Sequence, residues 1–306
     1  MKIAGYRSLT RLGLIVAFAA ACRGAPAPAT TATVALTPTA EPTATPSRPA
    51  WLLVDASVSP EVLDAVTDWA GGAGYGVESG DLNADAEGSP WGVVASEAAL
   101  SPLLAAWPGE PVFVVLDPSS LAAAERMSTL GPAIAYDQAG FLSGVAAGLA
   151  TQSGIVGVSS GSGEAEGWRA GLEEGLLYAC PKCQLEVVSN PGEPAFAMDV
   201  IATAPGGPVP SAGPGAGAPW LVVFEAAPEG WADRVAAVVR IAPEALIGQA
   251  LTRLAEGAPG EAWDFDALHG GLVTEVDSRA ISPGRERLLR EAEARLADGS
   301  LAVGGG

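Results

Sequence analysis

From Ala50 onward the chain alternates short, near-continuous apolar runs with stretches of helical periodicity, at the spacing of βα units. Trp51–Val54, Trp91–Val94, Pro111–Leu116 and Pro132–Ala135 read as strands of a first sheet. Runs that are apolar on both faces are what parallel strands buried between two layers require. Helices are predicted between them over Pro60–Trp69, Glu97–Ala106 and Ser119–Met127, each opened by Ser or Pro chemistry that suits a helix start. A second series follows, with helix Gln138–Ala150, strand Gly154–Val158, helix Ala165–Tyr178 and strands Gln184–Val188, Asp199–Thr203 and Trp220–Phe224. The Gly- and Pro-rich stretch Pro205–Pro219 reads as loop, and a helix over Pro283–Ala297 and a short strand Leu301–Val303 close the chain. Two such series imply an α/β protein of two Rossmann-like lobes with parallel sheets and a hinge near Ala135–Gln138. The expected division is 50–137 for the first lobe with a returning segment at about 241–270, and 138–240 for the second with the tail at about 271–303.

The pattern before Ala50 is different. Lys2, Arg7 and Arg11 precede an apolar run, Leu12–Ala21, that ends at Cys22. A run of about 10 residues is too short to span a bilayer as a helix, which takes roughly 20. Residues 1–21 therefore read as a lipoprotein signal peptide, with Cys22 as the lipidated residue after cleavage. An ordinary secretory signal with a chance cysteine is the alternative. Residues 22–49 contain little besides Ala, Thr and Pro, too little apolar bulk to offset the entropy of ordering, and are expected to form a disordered tether. The expected location is the extracytoplasmic face of the cell membrane, held by the lipid anchor.

The formal charge of −19 excludes one class of partner. Such a surface repels nucleic acid and anionic lipid, and it accommodates a neutral or cationic ligand more easily. It serves equally well as a solubility device. Cys180 and Cys183 form a C-x-x-C, but a single histidine elsewhere cannot complete a four-ligand zinc site. In an exported protein the expectation is a local disulfide. No metal site and no cofactor are expected.

Gly157-Val158-Ser159-Ser160-Gly161 is a formal G-x-S-x-G at the end of a predicted strand, where a hydrolase nucleophile elbow would sit. Ser159 would then need His269 and an acid such as Asp199 or Glu225. The plainer reading is a Gly/Ser loop, including Ser160 and Gly161, that offers N–H groups and hydroxyls at the carboxyl end of a parallel strand, where open α/β sheets bind ligands. In the last helix Arg285, Arg287, Arg290 and Arg295 alternate with acids as a solvated face.

With the segments placed, the chain resembles the basic membrane protein family, the purine-nucleoside-receptor-like binding lipoproteins of ABC transporters. Asp137–Leu149, with Phe141-Leu142-Ser143-Gly144, is similar to the family's F-L-A-G-x-x-A-A helix, and Gly154–Gly161 to the strand and loop that follow. Trp168–Gly175 resembles its F-x-x-G-F-x-x-G helix, Asp199-Val200-Ile201 its D-V-I strand, and Ile281-Ser282-Pro283 its last helix start. The resemblance implies a type I periplasmic-binding-protein fold, a multi-stranded hinge, a nucleoside-like ligand in the cleft and an ABC permease as partner. It also implies site residues. Asp55 and Ser57 match the acid and serine of the family's opening D-x-S-F-N stretch, Asp137 opens the matched helix, and Gly206 and Gly207 match the glycine loop after D-V-I. Glu225 stands for one acid of G-V-D-x-D, and Arg240 stands where the family carries lysine. The stacking aromatic and the second acid have no counterpart here.

Three functions are thus carried forward: a lipid-anchored solute receptor that does no chemistry, a sensor or surface lipoprotein with a degenerate site, and a serine hydrolase using Ser159. The anchor is testable by itself. Changing Cys22 to Ser should move the protein from the membrane fraction to the soluble fraction, and identical fractionation of the two forms would refute lipidation at this residue.

Overall fold

Strand β1 (Trp51–Asp55) is buried at every residue, and β3 (Gly92–Ser96) and β4 (Val112–Leu116) are buried at all but the last. Apolar side chains on both pleat faces need cover on both sides, and each face has its own cluster. One contains Leu52, Val54, Val94 and Val114 under α1 (Pro60–Ala73), the other Leu53, Val93, Phe113 and Val115. The computed structural model describes residues 50–82, 90–101, 104, 111–159, 167–188, 198–208 and 217–304. Cys22 and the remainder of 1–49 lie outside the described residues, as do Ser160 and Gly161.

The first lobe is completed by β2 (Gly76–Gly80), α2 (Glu97–Leu100) and β5 (Met127–Ile134). The chain then enters the second lobe through α3 (Tyr136–Ala150), β6 (Ile155–Ser159), α4 (Trp168–Ala179), β7 (Gln184–Val187), β8 (Val200–Thr203), β9 (Trp220–Phe224) and β10 (Val235–Ile241). It returns to the first lobe for α5 (Pro243–Ala255) and β11 (Ala262–Phe265), and ends in the second with β12 (Leu272–Val276) and α6 (Pro283–Ala297). The two six-stranded sheets have the orders β11-β5-β4-β3-β1-β2 and β12-β10-β9-β8-β6-β7. All pairings are parallel except β10 with β12. The first five strands of the two sheets are equivalent, and the sixth differs, β11 running parallel to β5 and β12 antiparallel to β10.

Three segments cross between the lobes, and they are bonded to one another. Ala135 of the first crossing donates its N–H to the Phe265 carbonyl (3.0 Å), and Ala267 donates to the Gln138 side chain (2.8 Å). On the other side, Ala242 of the second crossing donates to the Gly271 carbonyl (2.9 Å). The third crossing, Asp266–Gly271, thus lies between the other two as the middle of a three-stranded hinge.

In the second lobe α3 and α4 meet backbone to backbone. A Cβ on Gly140 would sit 1.9 Å from the Trp168 carbonyl oxygen, one on Gly171 1.9 Å from that of Asp137, and one on Gly175 2.0 Å from that of Phe141. Only glycine permits this approach, and it brings Phe141, Trp168, Leu172 and Leu176 into one core. Just beyond α4, Cys180 and Cys183 are joined by a disulfide, and Cys183 donates its N–H to the Cys180 carbonyl (2.9 Å).

The sequence-based elements need correction at four places. No helix forms over Ser119–Met127. The N–H groups of Ser119, Ser120 and Leu121, which would have opened it, go to the Glu97 carboxylate. Ala124 and Met127 then close a tight turn and β5 begins, so the strand predicted at Pro132–Ala135 is the end of a longer one. Of the helix predicted over Glu97–Ala106, Glu97–Leu100 is helical, and residues 102–103 and 105–106 lie outside the described residues. Leu301–Val303 is not a strand: Leu301 donates back to the Arg295 carbonyl (2.9 Å), and Leu301 and Val303 pack on the core of the second lobe. Strands β2, β10, β11 and β12 and helix α5 were missing from the sequence reading. β2, Gly-Val-Glu-Ser-Gly, is a half-exposed edge whose only apolar side chain is Val77, so it carries no hydrophobic signature.

Three outcomes follow for stability. Gly171→Ala should lower the unfolding free energy by at least about 2 kcal/mol in urea denaturation, since a backbone carbonyl cannot yield as a side chain can. Gly71→Ala, inside α1 where a Cβ meets nothing, should raise it by about 0.5–1 kcal/mol. Non-reducing alkylation and mass spectrometry should find no free thiol at Cys180 or Cys183. Removing that bridge should cost at most about 2 kcal/mol, because the loop it closes is very short.

Candidate functional site

Parallel strands end on one edge of their sheet, and the loops that leave that edge carry the polar groups. At the end of β1 the Asp55 carboxylate is buried, with 6% of its surface exposed. It accepts hydrogen bonds from the Ser57 hydroxyl (2.7 Å) and the Ser57 N–H (3.2 Å). Two residues on, the Ser59 hydroxyl caps α1 by accepting from the Val62 N–H (3.4 Å). Ser57 and Ser59, with Ser96 at the end of β3, Leu116 at the end of β4 and Asp117 after it, line a cavity of about 170 Å³. Ile241 and Pro243 of the second crossing and Phe265 complete its wall. The cavity therefore lies at the carboxyl edge of the first sheet, against the hinge. Asp55 and Ser57 are brought together beside it.

At the corresponding edge of the second sheet, Ser159 ends β6, fully buried, and its hydroxyl donates to the Pro208 carbonyl. Gly206, at φ +68°, and Gly207 make the turn that places Pro208 there, and a Cβ on Gly207 would lie 3.0 Å from both the Ala204 and Ser159 carbonyl oxygens. Glu225 follows β9 and accepts from the Ile241 N–H (3.1 Å). Displacement of water by the neighbouring hinge raises the Glu225 carboxyl above the ordinary value, while the Ile241 N–H and the Arg240 charge pull it the other way.

Arg240, at the end of β10, is not free to serve a ligand alone. It donates from Nε to Glu275 (2.9 Å) and from Nη1 to Glu244 (2.7 Å) and the Ile241 carbonyl (3.2 Å). The bonds to Glu275 and Glu244 hold its pKa above the ordinary value. It ties β12 and α5 to the second crossing. Asp137 lies in the first turn of α3, where its carboxylate accepts from the Gln138 N–H (2.9 Å) and packs beside Gly167 and Gly304.

One residue of this edge escaped the sequence reading. Asp117 stands after β4 as Glu225 stands after β9, and β4 and β9 hold the same position in their sheets. Among the described residues these two alone are non-glycine residues at positive φ, +48° for Asp117 and +72° for Glu225. Both make the same backbone bond to the next strand, Asp117 N–H to Leu130 (3.0 Å) and Glu225 N–H to Val239 (2.8 Å). Such conformations carry a cost for residues with a Cβ and are concentrated at functional sites. An apolar strand that ends in an acid, Val112–Leu116 then Asp117, was the available signal.

The elements of a serine hydrolase are scattered. Asp199 lies at the amino edge of the second sheet, opposite Ser159. Its carboxylate is occupied by the Thr151 hydroxyl (2.6 Å), the Gln152 and Ser153 N–H groups (2.5 and 3.1 Å) and the Ser153 hydroxyl (2.7 Å). Burial would raise its pKa, but these bonds together outweigh that and hold it low. His269 is in the hinge, with Nδ1 2.9 Å from Asp266 and its ring edge-on to Trp263. Neither acid proposed for a triad touches it, and Ser159 offers no exposed hydroxyl.

No protein-family model matches the chain, and no curated protein matches it. Among solved structures it is similar to an ABC transporter solute-binding protein from Conexibacter woesei, with a TM-score of 0.55 at 14% identity, covering 84% of this chain and 98% of that one. It is also similar to a transcriptional activator of the comK gene from Bacillus halodurans, with a TM-score of 0.53 at 12% identity, covering 82% and 99%. At these identities it is the fold that is shared. The chain has the type I fold of periplasmic solute-binding proteins, with two parallel-dominated six-stranded sheets.

Proposed function

We propose that this protein is an extracytoplasmic solute receptor, lipid-anchored through Cys22, which captures a small polar ligand between its lobes and delivers it to an ABC permease. The observation that carries this reading is the cavity at the carboxyl edge of the first sheet, walled by the hinge. An acidic residue in a strained backbone conformation occupies the equivalent position of each lobe. Ligands of open α/β sheets bind at that edge, and a cleft crossed by a hinge can close on what it holds. The similarity to a protein titled an ABC transporter solute-binding protein supports the same reading. A nucleoside-like ligand is the finer proposal, resting on the resemblance in sequence. Asp55, Ser57, Asp117 and Glu225 would accept bonds from its hydroxyl and amino groups.

A second reading is a sensor or surface lipoprotein that keeps the fold with a degenerate site. It is favoured by the small cavity, about 170 Å³ against the roughly 300–1,000 Å³ usual for ligand pockets. Arg240, held by Glu244 and Glu275, points the same way.

Calorimetric titration of the mature chain with nucleosides, free bases, sugars and amino acids separates the two. The receptor reading expects saturable binding of one class, weakened by about 1.5–3 kcal/mol in Asp117→Ala or Glu225→Ala. Ser159→Ala should leave affinity unchanged, and a fluorophosphonate probe should label no serine. Absence of saturable heat from every class would favour the degenerate site.

A further inference from the structure

Four donors converge on one exposed carboxylate at the rim of the first lobe. The Ser119, Ser120 and Leu121 N–H groups all point to Oε2 of Glu97, at 2.8 Å for Ser120 and 3.4 Å for Leu121, and the Ser120 hydroxyl donates to Oε1. The Ser120 hydroxyl first, and then the backbone donors, lower the Glu97 pKa to about 2. Ser119, Ser120 and Leu121 are not helical. Successive N–H groups wrapped around a negative oxygen form an anion nest of the kind that elsewhere takes phosphate. It adjoins the cavity along the chain: Ser96, which precedes Glu97, and Asp117, two residues before Ser119, both line that space.

Another place near the cavity, among the described residues, where backbone N–H groups could receive an anion is closed in the same way. Helix α1 opens from Ser59, another lining residue, and has Glu61 in its first turn. The Glu61 carboxyl is lowered by its own N–H and by the Ser59 hydroxyl. Arg240, whose charge reaches both Glu61 and Glu225, is already held by Glu244 and Glu275. An anionic group arriving here meets donors already in use and carboxylates that repel it.

We infer that Glu97 is a built-in occupant of an anion nest beside the cavity and selects against anionic solutes, so that the receptor takes neutral or cationic ligands and refuses those bearing phosphate, sulfate or carboxylate. The nest stands on geometry alone; its meaning as ligand selection rests on the receptor reading.

Sulfate is the probe, titrated into the mature full chain at neutral pH with sodium chloride at matched ionic strength as the control. Glu97→Ala should gain saturable sulfate binding by calorimetry, together with a sulfate-dependent rise in its thermal midpoint that the wild type lacks. Adding Ser120→Ala to that variant should weaken sulfate roughly tenfold or more, since one donor to a charged group is lost. If Glu97→Ala is not recovered folded, Glu97→Gln carries the test, because its neutral amide fills the same space and should yield to sulfate where the carboxylate does not. An equal response of wild type and variants to sulfate, or none in any of them, overturns the inference. Sulfate capture by the variant alongside a solute panel without binding would instead remove the receptor reading and leave the nest standing.

Discussion

Everything at the site depends on the hydrogen bonding of the third crossing segment to the other two. Ala135 and Ala267 fasten it to the first crossing, through Phe265 and Gln138, and Ala242 fastens it to the second through Gly271. Without those bonds each lobe would still have its own sheet and core. The cavity, whose Leu116, Asp117 and Phe265 belong to the first lobe, would lose its seat against Ile241, the last residue of β10 in the second sheet. The same middle segment explains why the single histidine has no catalytic setting. His269 is held by Asp266 and Trp263 as part of the connection, and the backbone around it closes turns between β11 and β12.

The parts of the sequence that read most clearly are those under packing constraint. Phe141 to Gly148 and Trp168 to Gly175, the segments that carry the family resemblance, are the two helices whose backbones touch at Gly140, Gly144, Gly171 and Gly175. A glycine every fourth residue on each partner is a pattern that only such an approach requires, so it is legible and it reports on the fold. It reports nothing about a ligand. The apolar runs of β1, β3, β4, β6, β8 and β9 were visible for the same reason, being buried on both faces, whereas the edge strand β2 showed no pattern to read.

The site was harder to read because its properties come from conformation and from distant partners. Glu225 was picked out as an acid after a strand, but the left-handed backbone that it shares with Asp117 has no residue signature, and Asp117 went unread. Ser119 and Ser120 look like a helix start, and propensity favours that choice. The Ala124–Met127 turn into β5 leaves no room for that helix, and the N–H groups of Ser119 and Ser120, which a helix start would also leave unpaired, go to a carboxylate 22 residues earlier that no local pattern reveals. Arg240 could be matched to a family position but not to its partners, since Glu244 is one helical turn on while Glu275 comes from the antiparallel strand β12. Tertiary contacts override local preference most strongly where a loop must be held still.

The acidity of the chain has two physical meanings, and the charge total cannot distinguish them. On α6, Glu286 and Glu293 pair with Arg290 across single turns, an exposed arrangement worth little in energy and suited to solubility. Near the carboxyl edges of the two sheets, three acids are hydrogen-bond acceptors whose partners are backbone N–H groups and serine hydroxyls. Glu97 takes Ser119 to Leu121, Asp55 takes Ser57, and Glu225 takes Ile241. Each such bond removes a donor that a ligand anion would need and leaves behind an acceptor that a hydroxyl or amino group can use. Which donors the acids occupy, rather than how many acids there are, is therefore what can set the charge of an acceptable solute.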